Sequence, residues 1–352
     1  MAPRLPIVPV DTSLVAGFRY ACRPGCGLCC YAEPLVPPAD RLPLLRRVPE
    51  IHLVARGRDE FLAARPEGGA CQLLAGTRCR AHPVRPAPCR QFPIAAHLGG
   101  RLQATVVLSC PGVDLAGLSA YRGPAVGDPP PDFDEELAAL RGRIDAGTPR
   151  RLAEGLRRRD RLRREFARDG RWEEEEEVRG RLRHALPDAG PEEFPAEAPP
   201  ARADGLDHLP LSFDGRDGPV AWAAGLGGWE LWELRPDGGT AGPVGVASPP
   251  TRPPPLSDAG RSALQGYLRY WLDRDLLFGV VHLSMLEGSD GTVGAWVEAE
   301  LRSIAALVLS RASVRATIRR GSVDRLSDDD VLAGIRATDQ DLLDRPTWGS
   351  PL

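Results

Sequence analysis

The sequence predicts an α+β protein that is mainly α-helical. An irregular cysteine-rich N-terminal region with a β-hairpin is followed by a mostly helical C-terminal region. Three observations predict this class. All eight cysteines of the 352 residues precede residue 111. Two segments that favour β-structure are joined across Gly99-Gly100, which is a hairpin signal. Beyond residue 256, apolar residues recur with the three- and four-residue spacing of amphipathic helices.

The chain is long enough for two domains with separate cores. Its 38 glycines and 36 prolines indicate many turns and connectors. We divide it into a cysteine-cluster domain over 1–125, a charged helical segment over 126–184, a proline-rich linker with a small β-hairpin over 185–255, and a helical domain over 256–352.

The first cysteine motif is Cys22-x3-Cys26-x2-Cys29-Cys30. Thiolates are soft ligands that suit zinc, copper(I) and iron–sulfur clusters, and close spacing lets one turn direct two sulfurs at one metal. Cys29 and Cys30 are adjacent, so their side chains leave the backbone in different directions. Either one of them is a spare or catalytic thiol, or two metals are present.

The second block contains the remaining four cysteines among prolines that stiffen the loop. Arginines surround these cysteines, and their charge would lower thiol pKa values and offset the charge of a thiolate centre. His82 is a further candidate ligand. We predict a metal site formed by Cys22, Cys26, Cys29, Cys30, Cys71, Cys79, Cys89 and Cys110, with Arg85 and Arg90 contacting the cofactor. No catalytic residue is assigned.

These residues carry a resemblance to a known family. The match consists of the cysteines together with Gly27, Arg85-Pro86, Arg90 and Phe92-Pro93, and spans about residues 18–115. It resembles the YkgJ-type cysteine-cluster proteins, which are described as zinc- or iron-chelating, and the related FliB-type flagellin lysine N-methylases. The resemblance implies a [4Fe–4S] cluster or zinc. The FliB likeness further implies S-adenosylmethionine as methyl donor and a protein as substrate.

A different class shares part of the first motif. The spacing Cys22-x3-Cys26-x2-Cys29 also occurs in radical-SAM enzymes, where three cysteines hold the cluster. Here Leu28 replaces the usual aromatic residue, and Cys30 and the second block have no role in that scheme. The chain also lacks the alternating strand–helix rhythm of a barrel, so the comparison disfavours true radical-SAM membership.

Composition limits the partners and the compartment. The net charge of −3 gives no global attraction to nucleic acid or anionic lipid, and we expect neither as a partner. All 45 basic residues are arginine, which we attribute to the codon bias of a GC-rich genome. Eight of them crowd residues 150–164, and the acidic run 173–177 that follows favours a solvated helical face over a phosphate-binding one.

No signal peptide or membrane-spanning run is evident, so we expect a cytoplasmic protein. In that compartment thiols stay reduced, and clustered cysteines indicate metal binding more than four disulfides. The oligomeric state is left open.

The remaining elements are predicted from periodicity. Two short helices are expected within 39–64, and a helical pattern runs from Phe133 to about Phe166 with a break near Gly147. Strands around Val220–Trp222 and Trp229–Leu234 suggest a hairpin, and 241–256 reads as a proline-rich connector.

Three C-terminal helices are expected. Ser257 or Asp258 caps the first, whose apolar face includes Tyr267 and Trp271. The second runs through Val297 to Val308, and Ser327 caps the third.

The sequence thus leaves three functions open. The protein is a SAM-dependent protein N-methylase with a cluster, a non-catalytic metal-stabilised interaction module, or a metal-handling protein. Sulfur ligation alone does not separate zinc from iron, since both accept tetrahedral S4 sites.

Overall fold

The computed structural model describes residues 8–23, 26–31, 33–65, 70–76, 78–125, 127–144, 147–186, 211–214, 218–225, 228–234, 240–287 and 290–343. Helices dominate and the sheets are small, which confirms the α+β, mainly α class. Among these residues, no helix combines the length and apolarity that crossing a membrane requires.

The cysteine-rich region is built from short elements around a three-stranded sheet. The predicted hairpin across Gly99-Gly100 is confirmed, since Leu98 pairs with Leu102 in antiparallel register. The sheet order is β1-β7-β6, with β1 parallel to β7. The elements are β1 (Val10–Asp11), α1 (Pro38–Arg47), β2 (Leu53–Arg56), β3 (Asp59–Leu62), β4 (Leu74–Ala75), β5 (Arg78–Cys79), α2 (Ala87–Gln91), β6 (Ile94–Leu98) and β7 (Leu102–Val106).

One prediction for this region is wrong. Only the first of the two helices expected within 39–64 is present, and it ends two residues before Pro49. The second is the β2–β3 hairpin. Gly57 in its turn has a φ of 67°, which a glycine adopts without the steric cost of a side chain. A glycine that readily adopts this turn conformation therefore favours a hairpin here over the predicted second helix.

Three charged helices follow, namely α3 (Asp134–Arg143), α4 (Thr148–Arg168) and α5 (Glu175–Ala185). The break predicted near Gly147 is confirmed, because α4 begins at Thr148 with a proline in its first turn. The acidic run before and within α5 pairs with nearby arginines, for example Glu175 with Arg159 at 2.9 Å. Residues 187–210, about a third of the linker predicted over 185–255, lie outside the described residues.

A four-stranded antiparallel sheet comes next, in the order β11-β10-β9-β8. Its strands are β8 (Leu211–Asp214), β9 (Gly218–Gly225), β10 (Gly228–Leu234) and β11 (Thr240–Ala247). The expected β9–β10 hairpin is confirmed. The connector expected over 241–256 is wrong in its first part, because β11 pairs with β10 there. Two register irregularities in this pair interrupt the alternation of inward- and outward-facing residues along β10, so Trp229 and Trp232 do not follow a strict two-residue period.

This sheet has buried residues in two separate hydrophobic clusters. Ala221, Ala223 and Leu234 pack with Tyr31 and Leu74 of the cysteine-rich region. The second cluster joins sheet residues to the C-terminal helices, and its members are Val220, Trp222, Trp229, Leu231, Ala247, Val314 and Ala337.

The C-terminal region consists of α6 (Asp258–Leu272), α7 (Asp275–Leu286), α8 (Val293–Arg320) and α9 (Asp328–Leu343). The Ser257 hydroxyl accepts a bond from the Gly260 N–H at 3.0 Å, so the predicted cap of α6 is confirmed. Ser327 likewise caps α9, accepting from the Asp330 N–H at 3.2 Å. Helix α7 was not predicted, because its run Leu276–Val281 is buried on all sides and shows no polar face.

The N-terminal sheet and the C-terminal helices share one hydrophobic core, which contains Leu102, Val106, Leu268 and Trp271. At its centre lies a fully buried ion pair, Arg274–Asp339, at 2.8 Å. The Asp339 carboxylate also accepts bonds from the Leu108 N–H at 2.7 Å and the Tyr267 hydroxyl at 3.0 Å.

The Arg274 side of this pair makes further contacts, although its buried Nε has no hydrogen-bond partner among the described residues. Arg274 donates to the Val106 carbonyl at 2.9 Å, and its guanidinium lies 4.4 Å from the ring centroids of both Tyr270 and Trp271. Together these groups fasten the end of β7 to α6 and α9, so the chain that leads to Cys110 is held from the C-terminal side.

The buried side chain of His97 should make the stability of the fold depend on pH. Neither ring nitrogen of His97 has a hydrogen-bond partner among the described residues, and burial, aided by the Arg274 charge, lowers its pKa to about 4. The unfolded chain takes up this proton near pH 6.5 and the folded chain does not. The free energy of unfolding should therefore fall as the pH drops from about 6.5 to 4, by on the order of 3 kcal/mol from this residue.

The measurement is denaturant unfolding of the wild type and of His97→Leu across that range. Burial also lowers the pKa of His282, to about 3, and contributes in the same direction, so the difference between the two chains is the diagnostic quantity. Parallel pH profiles for the two chains would contradict the assignment to His97.

Candidate metal centre

The described part of the chain contains a cavity of about 470 Å³ next to the β6–β7 hairpin. Its lining includes every cysteine of the protein, although these are spread over nearly ninety residues of sequence. All eight are free thiols, with Cys22 and Cys29 exposed, Cys71 and Cys110 buried, and the others intermediate. The remaining lining is largely apolar, and includes Leu28, Leu62, Leu73, Pro86 and Phe92.

The first motif is shaped by a left-handed glycine. Gly27 has a φ of 61° and precedes a single 3₁₀ turn, Leu28–Cys30. The Cys30 N–H donates to the Gly27 carbonyl at 2.9 Å, and the Leu28 N–H donates to the Cys26 sulfur at 3.5 Å. Cys26, Cys29 and Cys30, at and next to this turn, all line the cavity.

The second block joins the first through the backbone. The Cys71 N–H donates to the Cys30 carbonyl at 2.5 Å, and Cys79 lies in β5 opposite Leu74. Cys89 lies in α2, three residues after Pro86, which precedes the helix. Short paired segments and prolines thus hold these sulfurs where a longer element would carry them apart.

Cys110 lies at the end of the β6–β7 hairpin, apart in sequence from the other seven cysteines. It follows β7 in a turn closed by its own N–H, which donates to the Val107 carbonyl at 3.1 Å. Beyond it, Val113 forms a β-bridge with Tyr20, and the Ala21 N–H donates to the Gly112 carbonyl at 2.9 Å. The hairpin therefore returns Cys110 to the first motif.

The donor set fits a soft metal centre. Among the described residues, no group of three cysteine, histidine or acidic side chains is close enough together to coordinate a metal ion. The thiols therefore line one cavity without forming a coordination site. Eight soft donors around one cavity nevertheless match zinc or iron–sulfur chemistry. A Zn–S distance of about 2.3 Å encloses only about 50 Å³, so a single zinc ion would leave most of the cavity unfilled.

Burial sets the protonation of most of these thiols. It raises the pKa of Cys26 and Cys71 to about 11 and that of Cys110 to about 12. Cys29 behaves in the opposite way, because a hydrogen bond with the Cys30 thiol, supported by the Arg85 charge, lowers its pKa to about 7. A metal that binds the buried thiols must displace their protons, so binding releases protons.

The two predicted arginines take different positions. Arg85 lines the cysteine cavity and pairs with Glu135 at 3.0 Å. Arg90 pairs with Asp40 at 3.0 Å and lines a neighbouring groove of about 1290 Å³ instead. His82 lies in the lining of the cysteine cavity and is exposed.

Two residues of the site were missed by sequence reasoning. Tyr20 lines the cavity and stacks on Phe133 at 5.3 Å, and its place next to the first motif was a signal that could have been used. Arg336 of α9 donates to the Cys110 carbonyl at 2.5 Å and the Val113 carbonyl at 2.8 Å. Nothing in the sequence links Arg336 to a cysteine more than two hundred residues away.

We expect Arg336→Leu to lower the free energy of unfolding by on the order of 2 kcal/mol, because it removes charged donors from part-buried carbonyls. Amide exchange should accelerate most in residues 108–113, which hydrogen-exchange mass spectrometry would detect. The control is Arg302→Leu on α8, which removes only an exposed pair with Glu298 and should change stability by less than about 1 kcal/mol. Unchanged exchange in 108–113 would contradict the role of Arg336.

Comparison with known proteins supports the chemistry of this region. A family model named CxxCxxCC, described as "putative zinc- or iron-chelating domain", matches residues 21–109. The match covers about a quarter of the chain and includes every cysteine except Cys110. No curated protein and no solved structure matches the chain. The cysteine-cluster resemblance is therefore supported for this segment at the level of zinc or iron chelation.

Proposed function

We propose that the protein binds a metal centre through its cysteine thiolates, as a [4Fe–4S] cluster or as zinc. One observation carries the proposal: segments far apart in sequence deliver all eight thiols to a single cavity. Thiols scattered for structural reasons alone would have no cause to meet. The family match over residues 21–109 supports the same chemistry.

The chain's own residues define what such a site does. The apolar lining includes Leu62 and Phe92, and Cys71 and Cys110 are buried, whereas Cys22 and Cys29 remain exposed to solvent. Arg85 offsets part of the negative charge of a thiolate centre, and its pair with Glu135 fixes its position. A bound centre would also tie together short segments that bury little surface of their own, and would add its binding free energy to folding.

The likeness to FliB-type enzymes extends the proposal to a SAM-dependent protein N-methylase. The glycine-rich segment Gly225-Leu-Gly227-Gly228 does not support this extension as a nucleotide-binding loop, because it connects two antiparallel strands and not a strand and a helix. Its middle residues lie outside the described ones. This proposal places the methyl donor at the cysteine cavity, with a protein as acceptor. The alternatives are a non-catalytic zinc-stabilised interaction module and a metal-handling protein.

The experiment is metal analysis and absorption spectroscopy of the full chain purified without oxygen. A brown protein with iron and acid-labile sulfide supports the cluster, and a SAM titration followed by the absorption band then tests the methylase. A colourless protein with bound zinc supports the zinc module. A protein with neither metal, even after reconstitution with each, would refute the proposed function.

A further inference from the structure

We propose that Arg336 of α9 positions Cys110 as a thiolate ligand, so that metal binding in the cysteine cavity and docking of α9 strengthen each other. The inference rests on the proposed function, because it needs a thiolate centre in that cavity. It also extends the site beyond the family match, which ends at residue 109 and contains neither Cys110 nor α9.

Cys110 lies in a tight turn whose position decides whether its sulfur can reach a shared metal. The side chain is buried and lines the same cavity as the other seven cysteines. The Cys110 carbonyl accepts the Val113 N–H at 3.1 Å, which closes the turn. A thiolate has to lie within about 0.2 Å of its Zn–S distance of about 2.3 Å, so a small shift of this turn would remove one ligand.

The guanidinium of Arg336 holds this turn on both sides of the cysteine. Nη1 donates to the Leu108 carbonyl at 3.2 Å and to the Cys110 carbonyl at 2.5 Å, and Nη2 donates to the Val113 carbonyl at 2.8 Å. One planar group therefore contacts three carbonyls, and its rigid fork fixes their relative positions.

Two further residues on the same face of α9 bind the chain that leads into the turn. The Asp339 carboxylate accepts the Leu108 N–H at 2.7 Å, and the Gln340 N–H donates to the Ser109 hydroxyl at 2.9 Å. Positions 336, 339 and 340 are three and four residues apart, so they share one side of the helix. Residues 108–113 and α9 are thus held together as one unit.

This contact couples two events that occur at different places. A metal that binds only when Cys110 is in position also stabilises the docked arrangement of α9, and the coupling is the same in both directions. Changes to residues that orient metal ligands typically cost 10–100-fold in metal affinity. Arg336→Leu leaves all eight thiols in place and should therefore weaken metal binding by about tenfold.

The test is a double-mutant cycle on the full chain with wild type, Arg336→Leu, Cys110→Ser and the double variant. Zn²⁺ affinity is measured by competition with a coloured chelator, or, if the chain holds a cluster, the rate at which an iron chelator bleaches its absorption band. Arg336→Leu should cause no further loss once Cys110 is serine, because it acts through that thiol. Arg302→Leu, the exposed control on α8, should match the wild type.

A second measurement does not depend on the cysteine variant. Hydrogen-exchange mass spectrometry is carried out with and without the metal on wild type and Arg336→Leu. We expect bound metal to slow amide exchange in residues 328–343 of the wild type, and to do so much less in Arg336→Leu.

The outcomes separate this inference from the proposed function. Wild-type affinity in Arg336→Leu or in Cys110→Ser would overturn the inference while leaving thiolate metal binding intact. The same fold loss from Arg336→Leu in both backgrounds would also overturn it, because the arginine would then act through its charge on the other thiolates. No metal in the wild type would overturn the proposed function itself.

Discussion

Asp339→Ala should lower the free energy of unfolding by about 3–5 kcal/mol, one of the two largest effects that we expect in this chain. The substitution leaves the Arg274 guanidinium charged and uncompensated in a fully buried position. It also removes the acceptor for the Leu108 N–H and the Tyr267 hydroxyl. Removing one partner of a buried pair costs more than the pair itself contributes, because the other charge stays desolvated.

Chemical denaturation monitored by tryptophan fluorescence would measure this loss. Asp329→Ala is the matched control, since Asp329 lies in the first turn of the same helix, is exposed, and contributes only a helix-dipole term below about 1 kcal/mol. The double variant Arg274→Met/Asp339→Leu should recover part of the loss by removing both charges. Equal effects for Asp339→Ala and Asp329→Ala would show that the buried pair has no special role.

Gly266→Ala should also be strongly destabilising, against the preference of helices for alanine. A Cβ atom at Gly266 in α6 would lie 1.7 Å from the Leu118 carbonyl oxygen, closer than any non-bonded contact allows. Backbone must move to relieve this overlap, and overpacking of this kind costs about 1–3 kcal/mol or more. The helix propensity gain of about 1 kcal/mol does not offset it.

Gly180→Ala in α5 is the control for that prediction. Nothing lies within 4 Å of a Cβ built there, so the same substitution should stabilise the chain by up to about 1 kcal/mol. Thermal unfolding of the two variants should therefore shift the midpoint in opposite directions. Shifts of the same sign would mean that the contact between α6 and residues 116–120 is not as close as described.

Much of the site was predictable because its chemistry is local. The spacing of Cys22, Cys26 and Cys29, the adjacent Cys30 and the Gly99-Gly100 turn are all short-range signals, and each acts within a few residues. Helices α6, α8 and α9 were predictable for a similar reason, since capping residues and apolar residues at three- and four-residue spacing are local features of the sequence.

What could not be predicted depends on distance or on exceptions to periodicity. Helix α7 is buried all round, and β10 carries register irregularities, so neither shows a clean period. The bonds that Arg336 and Asp339 make to residues 108–113 connect ends of the chain that no local pattern relates. The placement of Cys110 in one hydrophobic cluster and of Cys71 in another likewise depends on contacts between distant segments.

The hydrogen bonds between α9 and residues 108–113 have a consequence for folding during biosynthesis. Cys110 leaves the ribosome long before Arg336 and Asp339 do, so residues 108–113 lack their contacts with α9 while most of the chain is still being made. Cys71 and Cys79 belong to or pack against a hydrophobic cluster whose members all precede residue 85, so its contacts can form much earlier. The turn that carries Cys110 can therefore be fixed from the C-terminal side only after the last helix has emerged, whereas the surroundings of Cys71 and Cys79 can form on the nascent chain.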